Sequence, residues 1–110
     1  RIVGFSETAD LLFTARRVPA DEARHIGLVN EVFAKDALDE KVEQLAQMIA
    51  RNAPLTIRSA KISLQELAKL EAERDTGRIA DSIERCYQSE DFKEGVRAFL
   101  EKRKPEFRGE

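Results

Sequence analysis

Apolar residues recur at helical spacing along most of this 110-residue chain. The clearest stripe has steps of four, three and four, and it consists of Leu38, Val42, Leu45 and Ile49. Charged residues occupy most positions between them, so the segment is predicted to be an amphipathic helix whose apolar side packs on another surface. The chain as a whole is expected to be all-α, with about five helices and at most one short strand.

In the first half, small and polar residues place the helix ends. Ser6 and Glu7 precede an apolar run, which predicts a helix of about two turns ending near Ala15. Gly27 is placed to end the next short helix, because glycine readily adopts the left-handed conformation that follows a helix. Residues 28–33 are β-prone and mark the expected position of the short strand.

In the second half, Pro54 suits the first turn of a helix that is expected to extend to Leu70. A highly charged stretch follows, and Thr76–Gly77 is the predicted break before another apolar stripe. Ser89 is a good N-cap for the last helix, which a following proline should end near Arg103.

The composition narrows the class of protein. Hydrophobic residues make up 42% of the chain and charged residues 36%, and the formal net charge is −2. Acidic residues outnumber basic ones, which argues against a nucleic-acid binder. No apolar run approaches the roughly 20 residues that cross a bilayer, so no membrane partner is expected. A single cysteine forms no internal disulfide, which fits a cytoplasmic location.

Few residues invite a catalytic interpretation. The only histidine, His25, is most simply a surface or packing residue, and Cys86 lies on an apolar helix face where a structural thiol is expected. No spacing of His, Cys, Asp or Glu indicates a metal site. We therefore assign no catalytic residue and no metal ligand within the chain.

Three segments resemble the crotonase (enoyl-CoA hydratase/isomerase) superfamily. Asp91–Phe107 contains every letter of its C-terminal signature, D-x-x-E-G-x-x-A-F-x-E-K-R-x-P-x-F. Ala23–Val32 resembles the A-x-x-x-G-L-V-N-x-V element. Asn52–Pro54, followed by Lys61, is similar to the junction between two helices of the family.

The resemblance implies that residues 1–110 are the C-terminal helical domain of such an enzyme, which serves trimerisation and completes the coenzyme A site. The N-terminal spiral of ββα turns, with the oxyanion hole and catalytic carboxylates, would then precede Arg1. Alanine stands at position 15, where the family usually has glycine in a Leu-Thr-Gly turn. Alanine tolerates positive φ poorly, so this turn is expected to differ locally.

By the same resemblance, the full-length protein is expected to be an enoyl-CoA hydratase that adds water to 2-enoyl-CoA thioesters. It would act as a homotrimer or a dimer of trimers, and the fragment alone is expected to be inactive. No separate cofactor is expected, because coenzyme A is part of the substrate. Isomerase, dihydroxynaphthoyl-CoA synthase and thioester hydrolase activities stay open, since they differ in carboxylates outside this chain.

The resemblance also assigns Phe99 and Lys102 to coenzyme A binding. These residues are three apart, and Arg103 is four from Phe99, so all three are expected on one helix face. An aromatic ring beside two cations suits an adenine ring that carries a phosphate. From spacing alone, a core phenylalanine and a solvated basic helix end explain the same residues.

A non-enzymatic helical oligomerisation module is the alternative function.

Overall fold

The computed structural model describes residues 2–110 and contains six α-helices. Their bounds are α1 Gly4–Thr14, α2 Ala20–His25, α3 Leu38–Ala50, α4 Pro54–Leu67, α5 Thr76–Gln88 and α6 Glu90–Leu100. One 3-10 turn, Glu71–Glu73, lies between α4 and α5. No strand occurs within residues 2–110. The prediction of an all-α chain is confirmed, with six helices in place of about five.

The chain divides into two compact units. The first extends to Val42 and the second comprises Glu43–Glu110, so the division falls within α3. In the first unit, Arg16 connects α1 to α2 by donating to Asp10 (3.0 Å) and Glu22 (2.7 Å). These two carboxylates raise the pKa of Arg16 above its ordinary value, so the guanidinium stays charged.

Helices α1 and α2 both end in a left-handed residue. Gly27 has φ +75° and lies in a Schellman motif, in which its own N–H donates to the Arg24 carbonyl (3.1 Å) and the Leu28 N–H to the Ala23 carbonyl (2.8 Å). The predicted helix stop at Gly27 is therefore confirmed. Ala15 also has positive φ, +48°, and its N–H donates to the Leu11 carbonyl (3.1 Å).

The poor tolerance of alanine for positive φ therefore does not exclude the left-handed conformation at position 15. A local difference from the turn of the family stays a prediction. The Ala15 methyl group makes the left-handed conformation sterically unfavourable, and glycine at this position would avoid that cost.

The strand prediction for residues 28–33 is wrong. These residues form bends and irregular backbone, and the N–H groups of Leu28 and Val29 both donate to the Ala23 carbonyl. A β-prone segment becomes a strand only where another extended segment completes its ladder of hydrogen bonds, and residues 2–110 contain no such pairing.

In the second unit, α4 packs on α5 and α5 on α6. Small residues bring the first pair close together: Ser59 is buried, and its hydroxyl lies 2.9 Å from that of Ser82 across the interface. Pro54 is the first residue of α4, as predicted. The helix ends at Leu67 and not at Leu70, because the chain turns there into the connection toward α5.

One buried carboxylate organises that connection. The Glu66 side chain has no exposed surface, and it accepts hydrogen bonds from Lys69 Nζ (2.6 Å), the Asp75 N–H (3.0 Å) and Arg78 Nη1 (2.9 Å). Asp75 in turn caps α5 by accepting from the Arg78 N–H (2.8 Å). The predicted break at Thr76–Gly77 is wrong for this reason: the Asp75 cap makes these two residues the first turn of α5.

Many large apolar side chains remain in contact with solvent. The α3 stripe predicted from the sequence is between 45% and 58% exposed at Leu38, Val42, Leu45 and Ile49. Phe5 and Phe13 of α1 are more exposed still. Within residues 2–110, no helix combines the length and apolar character that crossing a lipid bilayer requires.

The two left-handed caps predict opposite effects of glycine and alanine. Ala15→Gly should raise the free energy of unfolding by about 0.5–1 kcal/mol, since glycine removes the left-handed penalty but has a more flexible unfolded chain. Gly27→Ala should lower it by about 1 kcal/mol, because a Cβ there meets no other atom and only the backbone conformation is affected. Urea unfolding of both variants measures the sign of each change in the free energy of unfolding. Two changes of the same sign would contradict the interpretation that the left-handed backbone decides both effects.

The Glu66 contacts predict a specific acid dependence. Lys69, the Asp75 N–H and Arg78 lower the pKa of Glu66 from 4.5 to about 2. The stabilisation is therefore complete above pH 4.5 and is lost as the pH falls toward 2. Glu66→Gln should be less stable than the parent at pH 7, and the difference should shrink through this window in urea unfolding. The exposed Glu84→Gln is the matched control; an equal loss there, or a difference independent of pH, would refute the role of Glu66.

Candidate functional site

The candidate site lies at the C-terminal end of α6, in the second unit. Its geometry depends on the path of the last ten residues, which follow α6. Ser89 caps α6 as predicted, since its hydroxyl oxygen accepts from the Phe92 N–H (3.0 Å). Asp91, in the first turn, is 4% exposed, and its carboxylate accepts from the N–H groups of Arg108 (2.6 Å) and Gly109 (2.8 Å). The tail therefore returns from the C-terminal end of α6 to its N-terminal end.

Glu94, one turn further along α6, holds the tail at a second point. Its carboxylate accepts two hydrogen bonds from the Arg103 guanidinium (2.5 and 2.9 Å) and one from the Glu106 N–H (3.0 Å). The guanidinium and, after it, the Glu106 N–H lower the pKa of Glu94 to about 2. The Arg103 pKa is raised by Glu94 and Glu101, so this pair stays charged at neutral pH.

Gly95 lies against the returning tail. A Cβ on Gly95 would lie 3.6 Å from the Phe107 ring, an ordinary van der Waals distance, so this ring packs over the glycine on α6. Ala98, one turn later on the same face, is only 1% exposed. The letters D and E of the signature therefore share a structural role, which is to hold the tail on α6.

Helix α6 ends at Leu100, three residues before the predicted end at Arg103. The reason is Lys102, whose φ of +54° is left-handed and turns the chain off the helix axis. The Lys102 N–H donates to the Phe99 carbonyl (3.3 Å) and the Arg103 N–H to the Ala98 carbonyl (3.0 Å). These bonds form a Schellman motif with lysine at the position that glycine usually occupies.

An open apolar groove of about 690 Å³ lies beside this turn. Helices α4, α5 and α6 and the returning tail all contribute to it, through residues such as Leu55, Ala60, Ile83, Tyr87, Val96, Phe99 and Phe107. The rings of Tyr87 and Phe92 meet edge to face, with their centroids 5.2 Å apart. The volume of the groove lies in the range of small-molecule pockets, and the residues that line it suit an apolar or aromatic group.

The two predicted binding residues lie at the end of α6 but not on one helix face. Phe99 is 82% exposed and lines the groove, which excludes the alternative that it is a core residue of this chain. Lys102 is exposed, and its ammonium forms no ion pair with any residue from 2 to 110. Because Lys102 follows the helix and is left-handed, the three-residue spacing does not align it with Phe99 as predicted.

Arg103, the second cation of the sequence argument, has another role. Its guanidinium contacts Glu94, Glu101 (2.6 Å) and the Lys104 carbonyl (3.1 Å), so it is committed within the protein and is not offered to a phosphate.

His25 is exposed at the end of α2. Cys86 is half-buried in the groove, and its thiol donates to the Ser82 carbonyl (3.3 Å).

Sequence reasoning did not find the binding partners of Asp91 and Glu94. As letters of the signature, Asp91 and Glu94 carry no indication of the groups that they bind. The available signal was their spacing of three on one face of α6, opposite a tail containing Pro105, which cannot continue the helix. Such a tail needs acceptors for its N–H groups, and the nearest helix carboxylates supply them.

Comparison with known proteins identifies relatives along the whole chain. The family model described as Enoyl-CoA hydratase/isomerase matches residues 1–110. A short-chain-enoyl-CoA hydratase of Clostridioides difficile is 38% identical over 90% of this chain and 64% of its own length. A methylmalonyl-CoA decarboxylase of Escherichia coli is 37% identical over 99% of this chain and 42% of its own length.

The structural match is equally extensive. The crystal structure of an enoyl-CoA hydratase from Bacillus anthracis superimposes with a TM-score of 0.92 at 33% identity, and it covers all of this chain and 43% of the other. The chain thus spans between 42% and 64% of the length of these three proteins. The extent of the family match does not show that the chain is their C-terminal portion, which stays a prediction. This chain belongs to the enoyl-CoA hydratase/isomerase family.

Proposed function

We propose that this chain is the C-terminal helical domain of an acyl-CoA enzyme of the family, and that the complete protein hydrates 2-enoyl-CoA thioesters. The observation that carries the proposal is the end of α6, where the exposed Phe99 ring lines an apolar groove and the Lys102 ammonium has no partner among residues 2–110. The relative named a short-chain-enoyl-CoA hydratase supports hydration as the reaction.

In this proposal, Phe99 packs against the adenine ring of coenzyme A and Lys102 pairs with a phosphate. An aromatic face offers dispersion and stacking to a base, and an ammonium is a point charge that neutralises a phosphate without demanding a fixed orientation. Both contacts are remote from the thioester. They therefore bind the substrate and the transition state equally, which lowers KM and leaves kcat unchanged.

The chemical step is proposed to occur outside this chain. Backbone N–H groups in the remainder of the protein would polarise the thioester carbonyl, and glutamates there would orient and deprotonate the water. The hydroxyl adds to C3 of the enoyl group and a proton to C2. The relative named a methylmalonyl-CoA decarboxylase keeps other acyl-CoA reactions as the alternative on the same scaffold.

The exposed apolar stripe of α3 supports a further part of the proposal. Leu45 and Ile49 of the second unit lie four residues apart on α3, and each is about half exposed, so they form an apolar surface suited to another protein surface. We assign this surface to the remainder of the protein or to neighbouring subunits of a trimer or dimer of trimers. If assembly were the whole role, the chain would be a non-enzymatic oligomerisation module.

The purified 110-residue chain should not hydrate crotonyl-CoA, because the proposed acid/base groups are not part of it. The measurement is the loss of enoyl thioester absorbance with time, with the complete protein as the positive control. Turnover by the 110-residue chain above the rate without protein would overturn the proposed division of labour.

Lys102→Ala in the complete protein should raise KM for the thioester roughly tenfold, equivalent to about 1.4 kcal/mol, with kcat and the oligomer unchanged. Lys93→Ala is the matched control, since Lys93 is an exposed lysine of α6 that pairs with Glu90. Steady-state kinetics and sedimentation velocity measure the two properties. An unchanged KM together with a dissociated oligomer would instead favour the oligomerisation module.

A further inference from the structure

The turn after α6 holds a residue in a conformation that its side chain disfavours. Lys102 occupies the same Schellman position as Gly27 does after α2, with φ of +54° against +75°. A side chain other than glycine costs about 1 kcal/mol or more in this region. Such residues persist only where their surroundings over-determine the backbone, and they are concentrated at ligand sites.

A side-chain contact links the two residues on either side of Lys102. The Arg103 side chain donates from Nε to Glu101 (2.6 Å), so the residues before and after Lys102 are joined to each other. The same guanidinium makes the paired hydrogen bonds to Glu94, which belongs to the middle of α6. The turn is therefore anchored to the body of the helix and not only to its last carbonyls.

Glu94 also fixes where the chain goes after the turn. Its Oε1 accepts from the Glu106 N–H as well as from Arg103, so one carboxylate holds both the turn and the returning tail. Glu94 is 16% exposed and Arg103 38%, whereas the single-contact ion pair between Glu90 and Lys93 is more than half exposed on both sides. Glu94 also lies 3.9 Å from Arg97 of α6. A bidentate pair is stronger and better oriented than a pair with one contact.

We propose that Glu94 and Arg103 are positioning residues that hold Lys102 in its left-handed turn and thereby present its ammonium to the coenzyme A part of the substrate. This inference rests on the proposed function of Lys102 as a substrate-binding residue. Neither Glu94 nor Arg103 contacts the ligand in this scheme. Their effect on binding passes through the backbone at residue 102.

The test is a double-mutant cycle in the complete protein. Glu94→Gln keeps the size of the side chain and removes the charge of the pair, and it should raise KM for crotonyl-CoA three- to tenfold with kcat unchanged. In the Lys102→Ala background the same substitution should have no further effect on KM, since the positioned group is already absent. Glu90→Gln is the matched control and should leave both kinetic parameters unchanged.

Arg103→Lys provides an independent variant if Glu94→Gln fails to fold. Lysine keeps the charge but cannot form the two parallel hydrogen bonds, so KM should rise in the same direction and again only while Lys102 is present.

The outcomes separate the two proposals. If Lys102→Ala leaves KM unchanged, the binding role of Lys102 fails, and the positioning role falls with it. If Lys102→Ala raises KM while Glu94→Gln and Arg103→Lys do not, only the positioning role is overturned. Effects of the Glu94 or Arg103 variants that persist unchanged in the Lys102→Ala background also overturn it, because a purely structural contribution would behave in that way.

Discussion

Two carboxylates on α6 hold a segment that has no regular structure of its own. The tail after Leu100 contains neither helix nor strand, so its N–H groups depend on acceptors elsewhere. Asp91 and Glu94 accept from three of them, at residues 106, 108 and 109. The position of Phe107 beside Gly95, and so one side of the apolar groove, depends on these bonds. The groove is therefore a product of the tail as much as of the helices.

Helix ends that depend on local chemistry could be predicted from the sequence. Pro54 begins a helix because its fixed φ and missing N–H suit that position, Ser89 caps one through its hydroxyl, and Gly27 ends one through its positive φ. Each effect involves only residues within a few positions. The structure confirms all three predictions for this reason.

Features that depend on distant contacts could not be predicted in the same way. The segment 28–33 has the composition of a strand, but the described residues supply no partner strand. Thr76–Gly77 resembles a break, but Asp75 and the buried Glu66 place the break before it. Phe99 and Lys102 were found through a family signature. The spacing argument places both residues on one face of α6, whereas the helix ends at Leu100 and Lys102 is left-handed.

In the proposed function, Lys102 favours substrate binding at a position where its left-handed backbone lowers stability. Glycine at position 102 would relax the backbone, as Gly27 does in the equivalent turn of α2, but it would also remove the ammonium. A library of variants selected for heat resistance alone would therefore be enriched in glycine at this position. Under the proposed binding role of Lys102, the most stable sequence and the best binder differ at this residue, so engineering for stability would need a parallel selection for acyl-CoA binding.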